Sequence, residues 1–365
     1  MLRARTNVDG TQPGVIWEDL DTGAKRKSHE VAQDPAAALV VEQHELALVK
    51  EEELLPLLLP KVAVFGRMLP SGKVEVIEAL QGLGYMVGMC GDGGNDCGAM
   101  RAAHAGLALS AGDSSIVAPF SASTDHSLLR LVDLLREGRA CLLNNIMCFV
   151  FFVNYGVLIT TAKSVLLIYG KGKLMSEWSY IYFDGIINIF VPLAMVRCAP
   201  AEILSPFRPG ARIVSKRIIA YCIINFVMFW GLVVPLLVLL QRQPFYMPWE
   251  PSWFGIPTRW GLLSDNFECS LFFLLLSAHT ATTGLLCSYG GHHRRALFVN
   301  WRLLLVFAGV MGGLAAFLFT ESTSTNCIIK VELDRARLDF MKFRQIFVRI
   351  CAETSILINN CKKKL

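Results

Sequence analysis

Five apolar runs, at about 146–169, 178–196, 218–240, 267–286 and 303–319, constrain this chain more than any other feature. The first and third are long enough to cross a bilayer core, and the second and fifth lie near the lower limit for a span. Composition agrees: 53% of the residues are hydrophobic and only 18% are charged, against about 45–50% and about 25% in ordinary soluble domains. Disorder, a collagen-like repeat and a small disulfide scaffold are excluded. The eleven cysteines contain no CxxC pair, which indicates neither a zinc site nor a disulfide framework. The net charge of +5 lacks the basic clustering that nucleic-acid binding requires. The opening Met1–Gly10 has no apolar stretch and does not read as a signal peptide.

Positive charge sets the expected orientation. The 197–217 loop carries Arg197, Arg208, Arg212, Lys216 and Arg217, and the 287–302 loop carries Arg294, Arg295 and Arg302. The 241–266 loop has only Arg242 and Arg259, with Trp249, Trp253 and Trp260. The two basic loops are expected in the cytosol and the Trp-rich loop on the opposite side. Residues 1–143, which hold most of the acidic side chains, then form a cytosolic domain, and 144–320 form a membrane domain of about five helices. Residues 321–365 are a basic tail. Its best apolar stretch, Ile346–Ile358, is too short and, with Arg349 and Glu353, too charged to span.

In the first part, residues 1–60 are polar, with turn signals at Gly10, Pro13–Gly14 and Gly23, and a helix is expected over about 36–55. A β-α-β-α-β pattern comes next. Lys61–Phe65 reads as a buried strand, Ser71–Leu83 as a helix behind Pro70, and Tyr85–Cys90 as a second strand. A short helix runs to about Ala103, and Gly106–Ser110 is a third strand. Alternation of this kind predicts a parallel sheet with its site at the strand C-termini. Ser127–Leu142 is an amphipathic helix leading into the membrane.

The loop after the second strand, Gly91-Asp-Gly-Gly-Asn-Asp96, is where chemistry is expected. A strand delivers Asp92 into a glycine-rich turn, and Asn95 and Asp96 follow at the start of a helix. Gly91 and Gly93 let the backbone approach a bound ion, and carboxylates at a strand end suit Mg2+ with its oxygen ligands. Upstream, Arg67-Met-Leu-Pro-Ser-Gly-Lys73 sets one lysine at a helix start, where a lone cation can neutralise a phosphoryl group. A second candidate, Asp19-Leu-Asp-Thr-Gly23, has the look of a phosphatase nucleophile loop. Gly14-Val-Ile-Trp-Glu18 supplies too little apolar strand before it, so a polar hairpin turn is the better account.

Val64-Phe-Gly-Arg-Met-Leu-Pro-Ser-Gly-Lys73 together with Met89-Cys-Gly-Asp-Gly-Gly-Asn-Asp-Cys-Gly-Ala99 resembles the phosphorylation domain of P-type ATPases. Cys97-Gly-Ala99, Leu109-Ser110 and Val117-Ala-Pro-Phe-Ser121 resemble the B branch of the fifth subfamily, whose members export polyamines or other cations from endosomal and lysosomal membranes. The resemblance covers roughly residues 55–320. It implies an α/β haloacid dehalogenase-like partial phosphorylation domain, followed by an all-α transmembrane helix bundle. It also implies Asp92 as a Mg2+ ligand supported by Asn95 and Asp96, Lys73 on the phosphoryl group, and ATP as co-substrate. The Asp-Lys-Thr-Gly-Thr of the family nucleophile does not occur in this sequence, nor does a Thr-Gly-Glu actuator motif, and Gly66 and Gly72 stand where the family has Ala and Gln. The chain therefore reads as the C-terminal portion of a transporter, with a catalytically inactive, truncated or degenerate membrane protein as the alternative.

The second apolar run carries its own constellation. Glu177, Tyr180, Asp184 and Asn188 recur at intervals of three, four and four, hence on one helix face. Carboxylates at such depth line a polar pathway or pair with a cation, and Tyr180 can add cation–π attraction. A polyamine, with ammonium groups along an extended chain, suits this face. Lys163 in the first run either snorkels to the surface or pairs with Asp184 as an internal counter-ion. Glu268 and His279 are weaker signals, the histidine reading as hydrogen-bonded rather than functional. The expected partners are membrane lipid and a cation or polyamine, in an endomembrane.

Overall fold

The computed structural model describes residues 1–6, 15–51, 54–122, 125–210, 212–244, 246, 248 and 266–319. Arg259, Trp249, Trp253, Trp260 and the 321–365 tail lie outside the described residues. The chain divides into two compact units, Met1–Asp133 and Leu134–Leu365.

The first unit opens with three antiparallel strands, β1 (Leu2–Thr6), β2 (Val15–Asp19) and β3 (Lys25–Lys27). The segment expected to be a hairpin turn is one: it joins β2 to β3, with Gly23 at φ 67° and the Asp21 N–H donating to Asp19 Oδ1 at 3.0 Å. Asp19 is therefore the half-buried last residue of an antiparallel strand, at a hairpin turn, and not at the end of a buried parallel strand. Trp17 is fully buried, and its indole N–H donates to Ser28 Oγ at 3.1 Å. Helix α1 (Ser28–Gln33) comes next, its C-terminal end held by Lys61, whose ammonium donates to the carbonyls of Val31, Ala32 and Asp34.

The expected helix over 36–55 is corrected to a strand and two helices: β4 (Leu39–Glu42), α2 (Gln43–Glu51) and α3 (Leu55–Leu58). Leu39 and Val41 alternate inward, and the β-branched Val40–Val41 pair favours a pleated strand over a helix. Helix α2 begins only at Gln43, where Glu45 reaches back to accept the Glu42 N–H at 3.2 Å. Strand β5 (Val62–Gly66) completes a sheet of order β3-β2-β1-β4-β5, parallel at β1/β4 and β4/β5. The expectation of a buried strand here also needs correction. β5 is an edge, and Val64 is 43% exposed.

Helix α4 (Pro70–Gly82) is succeeded by β6 (Gly88–Gly91), α5 (Cys97–Ala102), β7 (Ala105–Ala108), α6 (Asp113–Val117) and β8 (Phe120–Ser121). These strands form a second, all-parallel sheet of order β6-β7-β8. The single β-α-β-α-β sheet expected from the sequence is thus divided between two ladders. β6 starts only at Gly88, and Tyr85 and Met86 before it are exposed.

The second unit is helical. The amphipathic segment and first apolar run fuse into one helix, α7 (Leu129–Ile168). The second run is one helical span, Glu177–Met195, that changes winding within it. α8 (Glu177–Ile181) leads into a wide π-helical turn, Tyr182–Ile187, and then into α9 (Asn188–Met195) with Pro192 inside it. Among the described residues, α10 (Lys216–Gln241), α11 (Phe267–Cys287) and α12 (Trp301–Phe319) follow. Among the described residues, four helices are long and apolar enough to cross a membrane, with Glu177–Met195 counted as one, and α12 is apolar but falls short of that length over Trp301–Phe317. α11 is buried all round, as an apolar helix without a polar face must be.

The two basic loops meet. Pro200 bridges Arg294 in an antiparallel pair, and the Ala201 N–H donates to the His293 carbonyl at 3.1 Å. The buried Arg294 guanidinium donates to Asn144 Oδ1 and to the carbonyls of Cys287 and Tyr289. Both loops therefore lie at one end of the helix bundle.

Candidate functional site

In the first unit, β6 ends at Gly91 and the chain turns through Asp92 and Gly93 into a short 3₁₀ turn, Gly94–Asp96, that starts α5. Gly91 is required by proximity, since a Cβ there would lie 2.5 Å from the Asp96 side chain. Asp96 is buried and accepts the Lys73 ammonium on Oδ1 at 2.5 Å. Strand end and helix start are thereby locked together, and the lysine expected at the site is in place. Asp92 and Asn95 are exposed at the same turn, and the Asp92 carbonyl accepts the Ser110 hydroxyl. Burial pushes the Cys90 thiol above its ordinary range, and the nearby carboxylates of Asp92 and Asp96 push it further.

The oxygen-only offer of Asp92 and Asn95 fits a hard cation such as Mg2+, which takes one or two carboxylates and leaves positions for phosphate and water. Asp96 differs from Asp92 in already carrying an ammonium. Its negative charge holds Lys73 in position.

In the membrane unit, the helices bring together two pairs. The Tyr155 hydroxyl of α7 donates to Asp184 Oδ1 at 2.7 Å, and Asn188 Nδ2 donates to the same oxygen at 3.1 Å. Eight residues further along α7, Lys163 Nζ stands over the Tyr180 ring, 4.1 Å from its centroid. Lys163 thus rests on an aromatic face, and among the described residues no ion pair joins it to Asp184. Glu177 is exposed and makes no hydrogen bond to these groups among the described residues. Tyr180 and Asp184 both meet α7, and Asn188 meets Asp184, while the wide turn at Tyr182–Ile187 changes the 3.6-residue spacing between them. An extra residue per turn rotates the helix beyond Tyr182 relative to the part before it.

His279 is hydrogen-bonded, as expected. Its Nε2 lies 3.0 Å from Asn225 Oδ1, and Asn225 donates to Asn154 at 3.0 Å. Two groups escaped sequence reasoning. Tyr155 had a usable signal, since it lies eight residues before Lys163 and so near its face of the same helix. Lys173 had none. It is 7% exposed and pairs with Glu268, 6% exposed, whose same carboxylate oxygen also accepts the Tyr246 hydroxyl at 2.7 Å.

No family model matches the chain. Individual relatives do. Human probable cation-transporting ATPase 13A4 is 27% identical over 364 residues, 94% of this chain and 30% of that protein. Human polyamine-transporting ATPase 13A2 is 30% identical over 283 residues, 78% of this chain and 23% of that protein. The vacuolar cation-transporting ATPase YPK9 of Saccharomyces cerevisiae is 29% identical over 258 residues, 70% of this chain and 17% of that protein. The chain spans less than a third of the length of each of these relatives. Similarity sustained over most of this sequence places the chain in the fifth subfamily of P-type ATPases, the family of these cation- and polyamine-transporting proteins.

Proposed function

We propose that the chain forms part of an ATP-driven transporter, resident in an endomembrane, whose membrane unit binds an amine cation, with a polyamine the favoured class. The observation that carries this reading is Asp184. It is an exposed carboxylate within a π-helical turn of an apolar helix, with one oxygen fixed by Tyr155 and Asn188. An ionisable group on a membrane helix faces protein, water or a bound charge rather than lipid, and π-turns gather at functional sites. With Oδ1 spoken for by two donors, the second oxygen is oriented to receive an ammonium. Tyr180 offers a π-face one helical turn away.

In the first unit, Asp92 and Asn95 would hold Mg2+, which supplies positive charge to a phosphoryl group when bound. Gly91 and Gly93 would give the backbone close approach. Lys73, fixed by Asp96, orients a second positive charge toward the same group.

The test is binding of radiolabelled spermidine to the chain in lipid nanodiscs. Asp184→Asn removes the charge but keeps the side-chain shape. Affinity should fall about 30-fold or more, which corresponds to about 2 kcal/mol for losing one partner of a desolvated charge pair. Equal binding by wild type and Asp184→Asn would sink the amine reading and leave only the family membership.

A further inference from the structure

Lys163 is exposed on α7, and its side chain is itself a four-carbon alkylammonium. It rests on the Tyr180 ring at 4.1 Å, while Tyr155 on the same helix holds Asp184 at 2.7 Å. Residues 155 and 163 are about 12 Å apart along α7, and 180 and 184 about 6 Å apart along α8 and the π-turn. The two contacts therefore stack along the α7–α8 seam, with Asp184 at one level and the Lys163–Tyr180 contact at the next. Around them, α7 contributes one positive charge, Lys163. The α8–α9 segment contributes two negative charges, Glu177 and Asp184. Over residues 155–163 and 177–195 the formal charge is −1, with Lys171 in the loop between them belonging to neither. Lys173 and Glu268 neutralise one another in a separate buried pair.

We propose that Lys163 is a tethered occupant of the second ammonium position of this site, and that it thereby sets how many charges a ligand can present. The proposal rests on the amine reading of Asp184. With Lys163 on Tyr180, the face neutralises one ammonium, at Asp184. A second ammonium would have to displace a covalently attached one from the ring. A diamine short enough to reach only Asp184 and Tyr180 then gains little over a monoamine, whereas a longer polyamine keeps ammonium groups that extend past Tyr180 toward Glu177. Without Lys163, the Tyr180 face is open and the local sum is −2. A four-carbon diamine is about 6 Å between its nitrogens, which matches the rise of about 6 Å between residues 180 and 184. Lys163 is a specificity-determining residue on this account, with no part in phosphoryl chemistry.

The experiment compares 1,4-diaminobutane with n-butylamine as competitors of labelled spermidine on the chain in nanodiscs. In wild type the two competitors should differ by no more than about threefold. Lys163→Met should raise the preference for the diamine by about tenfold or more, because both cation–π and charge terms are restored to the ligand. Lys163→Arg keeps a cation on the ring and should keep the wild-type ratio. A lysine that merely snorkels predicts one ratio for all three proteins, and that result overturns the proposal while Asp184-dependent binding still stands. If no amine binds wild type or Lys163→Met, both the proposal and the amine reading fall. Thermal unfolding of each variant guards against a folding defect, which an exposed position makes readily separable.

Discussion

At the scale of single residues, the pair Lys173–Glu268 shows how burial changes the meaning of a charge. Both side chains are almost wholly enclosed, and Glu268 Oε2 has no partner, so the ammonium and the Tyr246 hydroxyl on Oε1 stabilise the carboxylate between them. Lys173→Met should destabilise the chain by about 3–5 kcal/mol, because it leaves an uncompensated buried charge. The double variant Lys173→Met with Glu268→Gln should recover part of that loss in thermal unfolding. A second residue-scale prediction concerns Cys90. Burial and two neighbouring carboxylates disfavour its thiolate, so at any given pH less thiolate is present than in a free thiol. Alkylation by iodoacetamide, followed by mass spectrometry across pH, should therefore be displaced toward alkaline pH. Asp92→Asn should bring the curve part of the way back, since the larger cause is burial. Asp92, Asn95, Asp96 and Lys73 were all legible as a group from one glycine-rich loop and one helix start. That Asp96 would serve Lys73 while Asp92 stays exposed was not legible, because the contact joins residues 23 apart in sequence.

Elements show a similar division. The apolar runs marked the membrane helices, because length and hydropathy are properties of the chain itself. The change of winding in the second run escaped a reading built on 3.6 residues per turn. A π-turn leaves no local signature, and its extra residue is tolerated only when neighbours accept the displaced side chains. Tyr182 and Phe183 show that acceptance here, both buried against Phe273 of α11. Close approach of α9 to α11 depends on Gly284, where an added Cβ would lie 2.3 Å from Val191 Cγ1. Small residues at such a crossing let membrane helices pack by contact alone. Gly284→Ala should cost about 1–3 kcal/mol through overpacking. Val191→Ala should relieve it, so that a double-mutant cycle in thermal unfolding reads a coupling of about 0.5 kcal/mol or more. Independent, additive effects would place the two helices further apart than described. The strand β4 was misread as helix for a different reason. Leu39–Glu42 is short, and only pairing with β1 and β5 on either side stabilises it.

For the whole molecule, the contact between the 199–201 and 293–295 segments agrees with the charge distribution that assigned both loops to one side. Single cysteines placed at Ser205 and Tyr289, in a cysteine-depleted background, should react with an impermeant maleimide from the same face of sealed vesicles. Cysteine at Lys171 should react only from the other. Labelling of Ser205 and Tyr289 positions from opposite faces would reject this arrangement. The sequence contains no Asp-Lys-Thr-Gly-Thr, so the chain incubated with labelled ATP should yield no acid-stable phosphoprotein. Labelling abolished by Asp19→Asn would revive the phosphatase-like reading of the β2–β3 turn.

By itself the sequence determined the features set by composition, periodicity and local spacing: a helical membrane part, its charge asymmetry, an α/β part, and the loop carrying Asp92, Asn95 and Asp96. These are short-range or bulk properties, fixed by transfer free energy and by the geometry of glycine and proline. Only the tertiary structure decided how the strands were shared between two ladders, that Asp184 would be held by Tyr155, and that Lys163 would rest on Tyr180 instead of on a carboxylate. Those outcomes depend on which residues of separate helices and strands meet. They are set by packing across long stretches of chain, where each contact is worth little alone and the winning arrangement is the one in which buried apolar surface and buried polar groups are satisfied together.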